Sequence, residues 1–478
     1  MSEQQHWQMQ QRFDIGNIKY VDPASQDDYQ DRQLLLQKVK TAVEQALRLA
    51  LQNNIAIGLN LAARPDLVDN VQAGRSQEAG REASIWQSYE YADGDLLILG
   101  ESGVGKTVLI EELTYQLIQQ AERDRRLLTP VLLNLASWCS KRLPLAEWLV
   151  EELALKYLVP PEVGQRLIEE DQIRLLLDGL DEVRENERGA CIQAINRYKA
   201  DHMIPVTICG GTTEYLKTGV KLKLQEAFIV QPLSLQQIQA ILSRAGKQFA
   251  PIQAVLRTDI ILQQVLSTPL MLYVLFNTFQ DQSTPIDLGI LNGSADECKA
   301  RLWSKYVEHM ISRWNEQRYK GPYYDEQKVQ DGLSWLAWQM KQHNLTELHL
   351  HQIHIDWLEA GPARWFPRFV KIGPILFMLW GTKVISWSYV SFLNHSAHMH
   401  LLRNIGGSYT FVHRQLLEYF ARPYASKSPS QPLPPIQKEE PEQEVTMRVL
   451  PQQSHLCPKC RYVLPIQARF CGRCGTRL

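Results

Sequence analysis

The chain has 478 residues, of which 45% are hydrophobic and 22% charged, with a formal net charge of −1. That length exceeds a single small core and asks for several domains. The even charge balance excludes a chain-wide grip on nucleic acid and a polybasic membrane attachment.

The first residues, MSEQQHWQMQQRFD, are polar and lack the apolar run of a secretory signal. Cys139, Cys191, Cys209 and Cys298 stand singly, and the other four cysteines crowd into the last 22 residues. Scattered single thiols without a disulfide framework fit a reducing compartment, so the expected location is cytoplasmic.

Leu35, Val39, Val43, Leu47 and Leu51 recur at helical spacing and predict a helix within 31–61. Residues 70–87 are polar and glycine-containing and read as loop. From Asp95 onward, strands and helices alternate. LLIL (96–99), PVLLNL (130–135), IRLLL (173–177), VTIC (206–209) and AFIVQPL (227–233) read as strands. Helical patterns cover 108–119, 145–158 and 191–198. Nearly continuous apolar strands alternating with helices predict a parallel sheet covered on both faces.

After Pro232 the strand signals stop. Residues 235–244, 260–276, 296–314 and 329–340 show helical periodicity, as does the run FVHRQLLEYFA. The stripe Leu302, Trp303, Tyr306, Val307, Met310 and Ile311 reads as core. Residues 372–393 are long enough to span a bilayer, for which roughly 20 suffice. Lys383 near the middle and Gly373-Pro374 at the start argue against a span, leaving a buried or surface-docked segment and no membrane contact. Residues 422–455 are rich in Pro, Ser, Gln and Glu and read as a disordered linker.

Two stretches carry chemistry. Gly100, Glu101, Ser102, Gly103, Val104, Gly105, Lys106 and Thr107 fit G-x-x-x-x-G-K-[ST] between a predicted strand and a predicted helix that opens at Val108. Such a loop turns backbone N–H groups toward a phosphate. Lys106 would bridge the β- and γ-phosphates of a nucleotide, and the Thr107 hydroxyl would ligate Mg²⁺. LLLDGLDE (175–182) follows an apolar strand with three carboxylates. Asp178 is placed to hold the Mg²⁺ water shell, and Asp181 or Glu182 to polarise an attacking water.

These motifs resemble the NACHT nucleotide-binding domains of the STAND class of P-loop NTPases, as bacteria carry them. Asp178-Gly-Leu-Asp-Glu182 is similar to that family's acidic motif, LLILGESGVGKT to its P-loop entry, and Thr212-Thr-Glu-Tyr215 to its sensor-strand exit. Pro232-Leu-Ser234, Thr268-Pro-Leu-Met-Leu272, and Phe411-Val-His-Arg414 with Leu-Leu-Glu-Tyr-Phe420 resemble its helical and winged-helix segments. The resemblance spans about residues 30–421. It implies an α/β P-loop NTPase domain (94–234) after an N-terminal helical region (1–93). A helical domain (235–292) and a winged-helix-like domain (293–421) would follow.

It further implies that Pro269 touches adenine and that His413 reaches the β-phosphate of ADP in a closed form. Exchange for ATP would open the molecule and promote a homo-oligomer. The usual sensing repeats and any N-terminal effector are missing from the sequence. Where relatives commonly carry a sensor arginine, this chain aligns Gly211. Slow turnover is therefore expected, with Thr212 or Thr213 as weaker neutral donors.

Cys457-Pro-Lys-Cys460 and Cys471-Gly-Arg-Cys474 form two C-x₂-C knuckles, expected to hold one structural Zn²⁺ in a zinc ribbon over 456–478. Its Lys and Arg residues, with no acid, suit an unidentified protein or nucleic-acid partner as well as a solvated face. Three functions remain open at this level: an ATP/ADP signalling switch in regulation or bacterial defence, a hydrolysis-poor nucleotide-binding scaffold, and a nucleic-acid-binding regulator acting through the ribbon.

Overall fold

The structure is a computed structural model. It describes residues 26–50, 58–69, 82–138, 143–202, 204–279, 289, 293–317, 324–343, 345–349, 387–405, 408–425, 454–456 and 463–465. It divides into two units, Met1–Lys427 and Ser428–Leu478.

The first unit opens with helix α1 (Gln26–Ala50), whose Leu35, Leu36, Val39 and Val43 are buried on one stripe. Strands β1 (Leu61–Ala63) and β2 (Glu82–Ala83) and helix α2 (Ile85–Tyr91) follow. Next come β3 (Leu96–Gly100), α3 (Lys106–Arg123), β4 (Thr129–Asn134), α4 (Leu145–Tyr157) and α5 (Pro161–Glu169). The alternation continues through β5 (Ile173–Asp178), α6 (Glu185–Asp201), β6 (Val206–Gly211), α7 (Thr212–Leu216) and β7 (Glu226–Val230).

These seven strands form one sheet in the order β2-β1-β7-β3-β6-β5-β4. From β7 to β4 every pairing is parallel, and all residues of β3 and β6 are buried. A strand covered on both faces has no reason to alternate polar with apolar, so its sequence is an unbroken apolar run. The sequence anticipated these five strands. It missed the edge: β1 pairs antiparallel with both β7 and β2, so the sheet is mixed. Strands of three and two residues are too short to show a period, and the stretch taken as loop over 70–87 holds β2 and the start of α2. Leu61–Ala63 and Glu82–Ala83, drawn in sequence as part of an N-terminal helical region, thus join the sheet.

The register sets the geometry of the carboxyl edge. Gly100 pairs with Gly211, and Asn134 pairs with Asp178. The ends of β3, β6, β5 and β4 therefore lie side by side, at the edge where α/β sheets hold ligands.

A second core begins at Leu233. Helices α8 (Leu235–Ala245), α9 (Ala250–Leu256), α10 (Ile260–Leu266), α11 (Pro269–Thr278), α12 (Ala295–Gln317) and α13 (Glu326–Gln342) share one apolar cluster. Every member of the predicted stripe from Leu302 to Ile311 is buried in it. Strands do return after Pro232. β8 (Leu348–His349), β9 (Leu402–Ile405) and β10 (Ser408–Phe411) form an antiparallel sheet in the order β8-β10-β9. Pairing of Ser408 with Ile405 leaves a two-residue connection, and the Gly406-Gly407 there is the hairpin signal that the sequence reading passed over. Helix α14 (Trp387–His398) precedes β9, and α15 (Arg414–Ala425) follows β10. Phe411, counted in sequence with the last helix, ends a strand instead.

Among the described residues no single helix is long and apolar enough to cross a membrane. Most of the 372–393 segment lies outside the described residues. In the second unit, β11 (Ser454–Leu456) pairs antiparallel with β12 (Val463–Pro465). Cys457, Cys460, Cys471 and Cys474 lie outside the described residues.

Besides apolar packing and the surface ion pairs Asp31–Arg166 and Lys40–Glu122, a buried polar contact ties α1 to the sheet domain. Arg32 is buried, and its Nη2 donates to the carbonyls of Ala121 (2.9 Å), in the last turn of α3, and of Leu127 (3.0 Å), in the connection to β4. The Ala121 carbonyl lies at the negative end of the helix dipole. Arg32→Ala is expected to lower stability by about 1–3 kcal/mol, read as a drop in the urea midpoint of the full chain.

Candidate functional site

The loop from Gly100 to Gly105 turns through two left-handed glycines, Gly103 (φ 87°) and Gly105 (φ 99°), the second capping α3. A side chain at Gly103 would also press on Leu270 and on the amide of Gln415 at 3.1–3.2 Å. The loop is thus covered closely by two distant segments. Lys106 is only 8% exposed, and its ammonium donates to the carbonyls of Gly100 (2.8 Å) and Glu101 (3.1 Å). It is a full charge held against its own loop by neutral acceptors. Thr107 Oγ1 donates to Asp178 Oδ2 at 2.8 Å, joining the start of α3 to the end of β5.

Beyond Asp178 the chain enters the left-handed region at Gly179 (φ 79°). An added Cβ there would sit 2.8 Å from Glu182 Oε2 and 2.9 Å from the Asn134 amide, so both conformation and space demand glycine. Asn134 Nδ2 donates to Glu182 Oε2 at 2.8 Å. The acidic turn is held from beneath by Arg188, a buried guanidinium on α6. Its fork donates to the carbonyls of Leu180 (3.2 Å), Asp181 (3.2 Å), Val183 (2.9 Å) and Glu214 (3.2 Å). Five fixed donors let one side chain clamp both the acid turn and the exit from β6.

Burial raises the Asp178 carboxyl above its ordinary range, against the hydrogen bond from Thr107. Burial beside the charges of Asp178 and Asp181 pushes Glu182 up to about 7, with the Asn134 amide opposing. Three acids this close resist ionising together. A divalent cation relieves that repulsion, and the pair of hard oxygens from Thr107 and Asp178 suits Mg²⁺, which takes few protein ligands beside substrate phosphates. No group of three or more His, Cys, Asp or Glu side chains among the described residues is arranged to hold a metal by itself.

Pro269 approaches this loop, and His413 stands two residues before Gln415, which touches it. Pro269 opens α11, and its Cγ lies 4.0 Å from the point where a Cβ on Gly105 would stand. Leu270 N donates to Gly103 O at 3.3 Å. His413 sits between β10 and α15, and its Nδ1 accepts from the backbone N–H of Gln415 at 3.1 Å. Burial near Arg403, Lys106 and Arg414 lowers its pKa to about 3, so the ring is neutral at physiological pH. With Nδ1 accepting, the proton falls on Nε2, leaving a donor for an anion. Gln415 Nε2 donates to Ser102 O at 3.1 Å, and Arg414 Nη1 lies 3.1 Å from Asp181 Oδ2.

Sequence reading gave no role to Asn134, Arg188, Arg414, Gln415 or Glu111. Asn134 did carry a signal, a polar residue closing an apolar strand. Arg188 carried none, because its partners are backbone carbonyls. As for β6, it lies between β3 and β5, and its exit offers little to a ligand. The Thr213 hydroxyl is engaged by Glu101 at 3.2 Å, and the Thr212 hydroxyl is buried without a partner.

Comparison with known proteins adds little. No protein-family model matches the chain, and no curated protein does. Among solved structures, a Walker-type ATPase of Pyrococcus abyssi is similar at 13% identity, with 70% of this chain and 93% of that one covered and a TM-score of 0.28. The ORC1 protein of Aeropyrum pernix in complex with DNA is similar at 15% identity, covering 86% and 95%, again with a TM-score of 0.28. Cdc6p of Pyrobaculum aerophilum follows at 14% identity, covering 69% and 88%, with a TM-score of 0.23. Overlap that slight says nothing about what this chain does. The α/β P-loop fold rests instead on the strand order, the glycine loop and the Thr107–Asp178 contact.

Below the loop, Glu111 on α3 is buried with Oε2 unpartnered, and its pKa rises to about 7, with Arg403 opposing the effect of burial. A carboxyl raised from 4.5 stays protonated in the folded chain while the unfolded chain ionises. Its stabilising contribution is complete below the unfolded value and drains away as pH rises through the folded one. Urea midpoints of wild type and Glu111→Gln should therefore diverge between about pH 5 and pH 8, the glutamine variant gaining relative stability at the higher pH.

Proposed function

We propose that this chain is an ATP/ADP-binding switch of the NACHT type. Bound diphosphate holds the last helical segment over the P-loop, and exchange for triphosphate releases it and exposes surfaces for self-assembly. One observation carries the reading: Lys106–Thr107, Pro269–Leu270 and His413–Gln415, more than three hundred residues apart at their extremes, converge on one phosphate loop. A nucleotide lying there would have the loop N–H groups and Lys106 on its phosphates and Pro269 against its base. The Nε2–H of His413 would donate to the β-phosphate. Thr107 and Asp178 would share a Mg²⁺ ion, which supplies charge neutralisation for the phosphates when bound. The three-stranded sheet with α15 supports a winged-helix reading of 293–421, and α8 to α11 a helical domain before it.

Turnover would use Asp181 or Glu182 to orient water. Asn134 holds Glu182 and Arg414 holds Asp181, so neither carboxylate is free as it stands. That restraint, together with Gly211, favours slow hydrolysis and keeps the nucleotide-binding scaffold as the second reading.

The test is nucleotide content and binding of the purified full chain beside Lys106→Ala. Wild type is expected to retain or bind ADP and ATP, and the variant to bind both at least about tenfold more weakly, the charge-assisted phosphate contacts being lost. Wild type that binds neither nucleotide overturns the proposal.

The tail is proposed as a structural zinc site. Strands β11 and β12 bracket the first C-x₂-C knuckle in sequence, the arrangement a zinc-ribbon hairpin requires. Metal analysis under reductant is expected to give about one zinc per chain, falling toward zero when Cys457 and Cys460 are changed to Ser.

A further inference from the structure

The corner of the site at Gly211 has no side chain of its own, yet it is not empty of contacts. A Cβ built on Gly211 would run into the Glu214 carboxylate and stand 3.0 Å from Asp181 Cβ. Gly211 and Asp181 therefore occupy one spot, level with Gly100 at the mouth of the phosphate loop. The guanidinium that reaches this spot comes from elsewhere. Arg414 Nη1 lies 3.1 Å from Asp181 Oδ2, and its Nε lies 3.3 Å from Glu418 Oε1 one turn along α15. The next residue, Gln415, donates to the Ser102 carbonyl, so the first turn of α15 rests directly on the loop.

We infer that Arg414 reads the terminal phosphate of a bound nucleoside triphosphate, supplying from the last helix the charge that β6 lacks at Gly211. This rests on the nucleotide reading above.

The chemistry fits in three respects. Arg414 is held by two carboxylates but remains 39% exposed at its side chain, so its remaining N–H groups are open to a ligand. A guanidinium presents five donors in a fork that matches phosphate oxygens, and it never loses its charge. The Thr212 and Thr213 hydroxyls nearby are neutral, and the second is already engaged. A triphosphate would compete with Asp181 for Arg414 and free that carboxylate, whereas a diphosphate, one group shorter, would leave the ion pair intact. The same side chain thus distinguishes the two nucleotides. Drawn to the added phosphate, it gives up the Asp181 ion pair that pins α15 to the acid turn, so the triphosphate weakens the hold of the sheet domain on α15 and begins the release proposed above.

The probes are ADP and the non-hydrolysable β,γ-imido analogue of ATP, titrated into full-length protein with Mg²⁺. Arg414→Ala is expected to weaken the imido analogue at least about tenfold while leaving ADP within about twofold, as for a lost charge-assisted contact. Arg414→Lys should fall between the variant and wild type. Asp181→Asn, which removes the competing carboxylate, should tighten the analogue, and the gain should vanish in the Asp181→Asn, Arg414→Ala double variant. Equal weakening of both nucleotides by Arg414→Ala, no change in either, or tighter analogue binding overturns the role of Arg414 alone. Wild type that binds neither probe overturns this inference and the nucleotide reading together.

Discussion

The register between β3, β6, β5 and β4 is the constraint on which the site depends. Parallel pairing of Gly100 with Gly211 and of Asn134 with Asp178 brings four strand ends to one level. A slip of one residue would reverse which face each side chain meets. Because every residue of β3 and β6 is buried, that slip would also send apolar groups into the wrong layer of helices. Core packing and site geometry are thus set by the same hydrogen-bonded ladder.

The site built on this edge concentrates opposite charges in a poorly solvated place. Three acids stand at the end of β5 and the turn beyond it, and Lys106, Arg188 and Arg414 approach them from the loop, from beneath and from the last helix. Arg188 meets only carbonyls, so it fixes shape without consuming an acid. Arg414 meets an acid, so its contact is open to competition by another anion. That difference separates a residue that holds the turn from one able to respond to a ligand.

The two apolar cores are distinct, one within the sheet domain and the other from Leu233 to Ala421, with Leu59 packed against both. Where they meet at the phosphate loop, the polar contacts among the described residues are a backbone hydrogen bond from Leu270, an amide from Gln415 and an ion pair from Arg414, beside the packing of Pro269 and Leu270 on the loop glycines. Partly exposed interactions of this kind contribute little each. A charged ligand in the loop therefore has leverage over how the second core sits on the first.

By itself the sequence determined the local chemistry and the buried strands. Unbroken apolar runs mark strands covered on both faces, and the glycines with Lys106, Thr107, Asp178 and Gly179 stand out as a pattern through spacing alone, because one short loop and one strand end contain them. The edge strands β1 and β2 and the returning sheet β8-β10-β9 escaped it, since two to four residues are too few to display a period. Only the tertiary structure decided which distant side chains close the site. Asn134, Arg188, Arg414 and Gln415 act through backbone carbonyls or through partners up to 313 residues away, and no local pattern records such a meeting. Gly211 shows both sides: its bareness is plain in sequence, but that Glu214 and Asp181 crowd the space and that Arg414 pairs with Asp181 beside it follows only from how the chain packs.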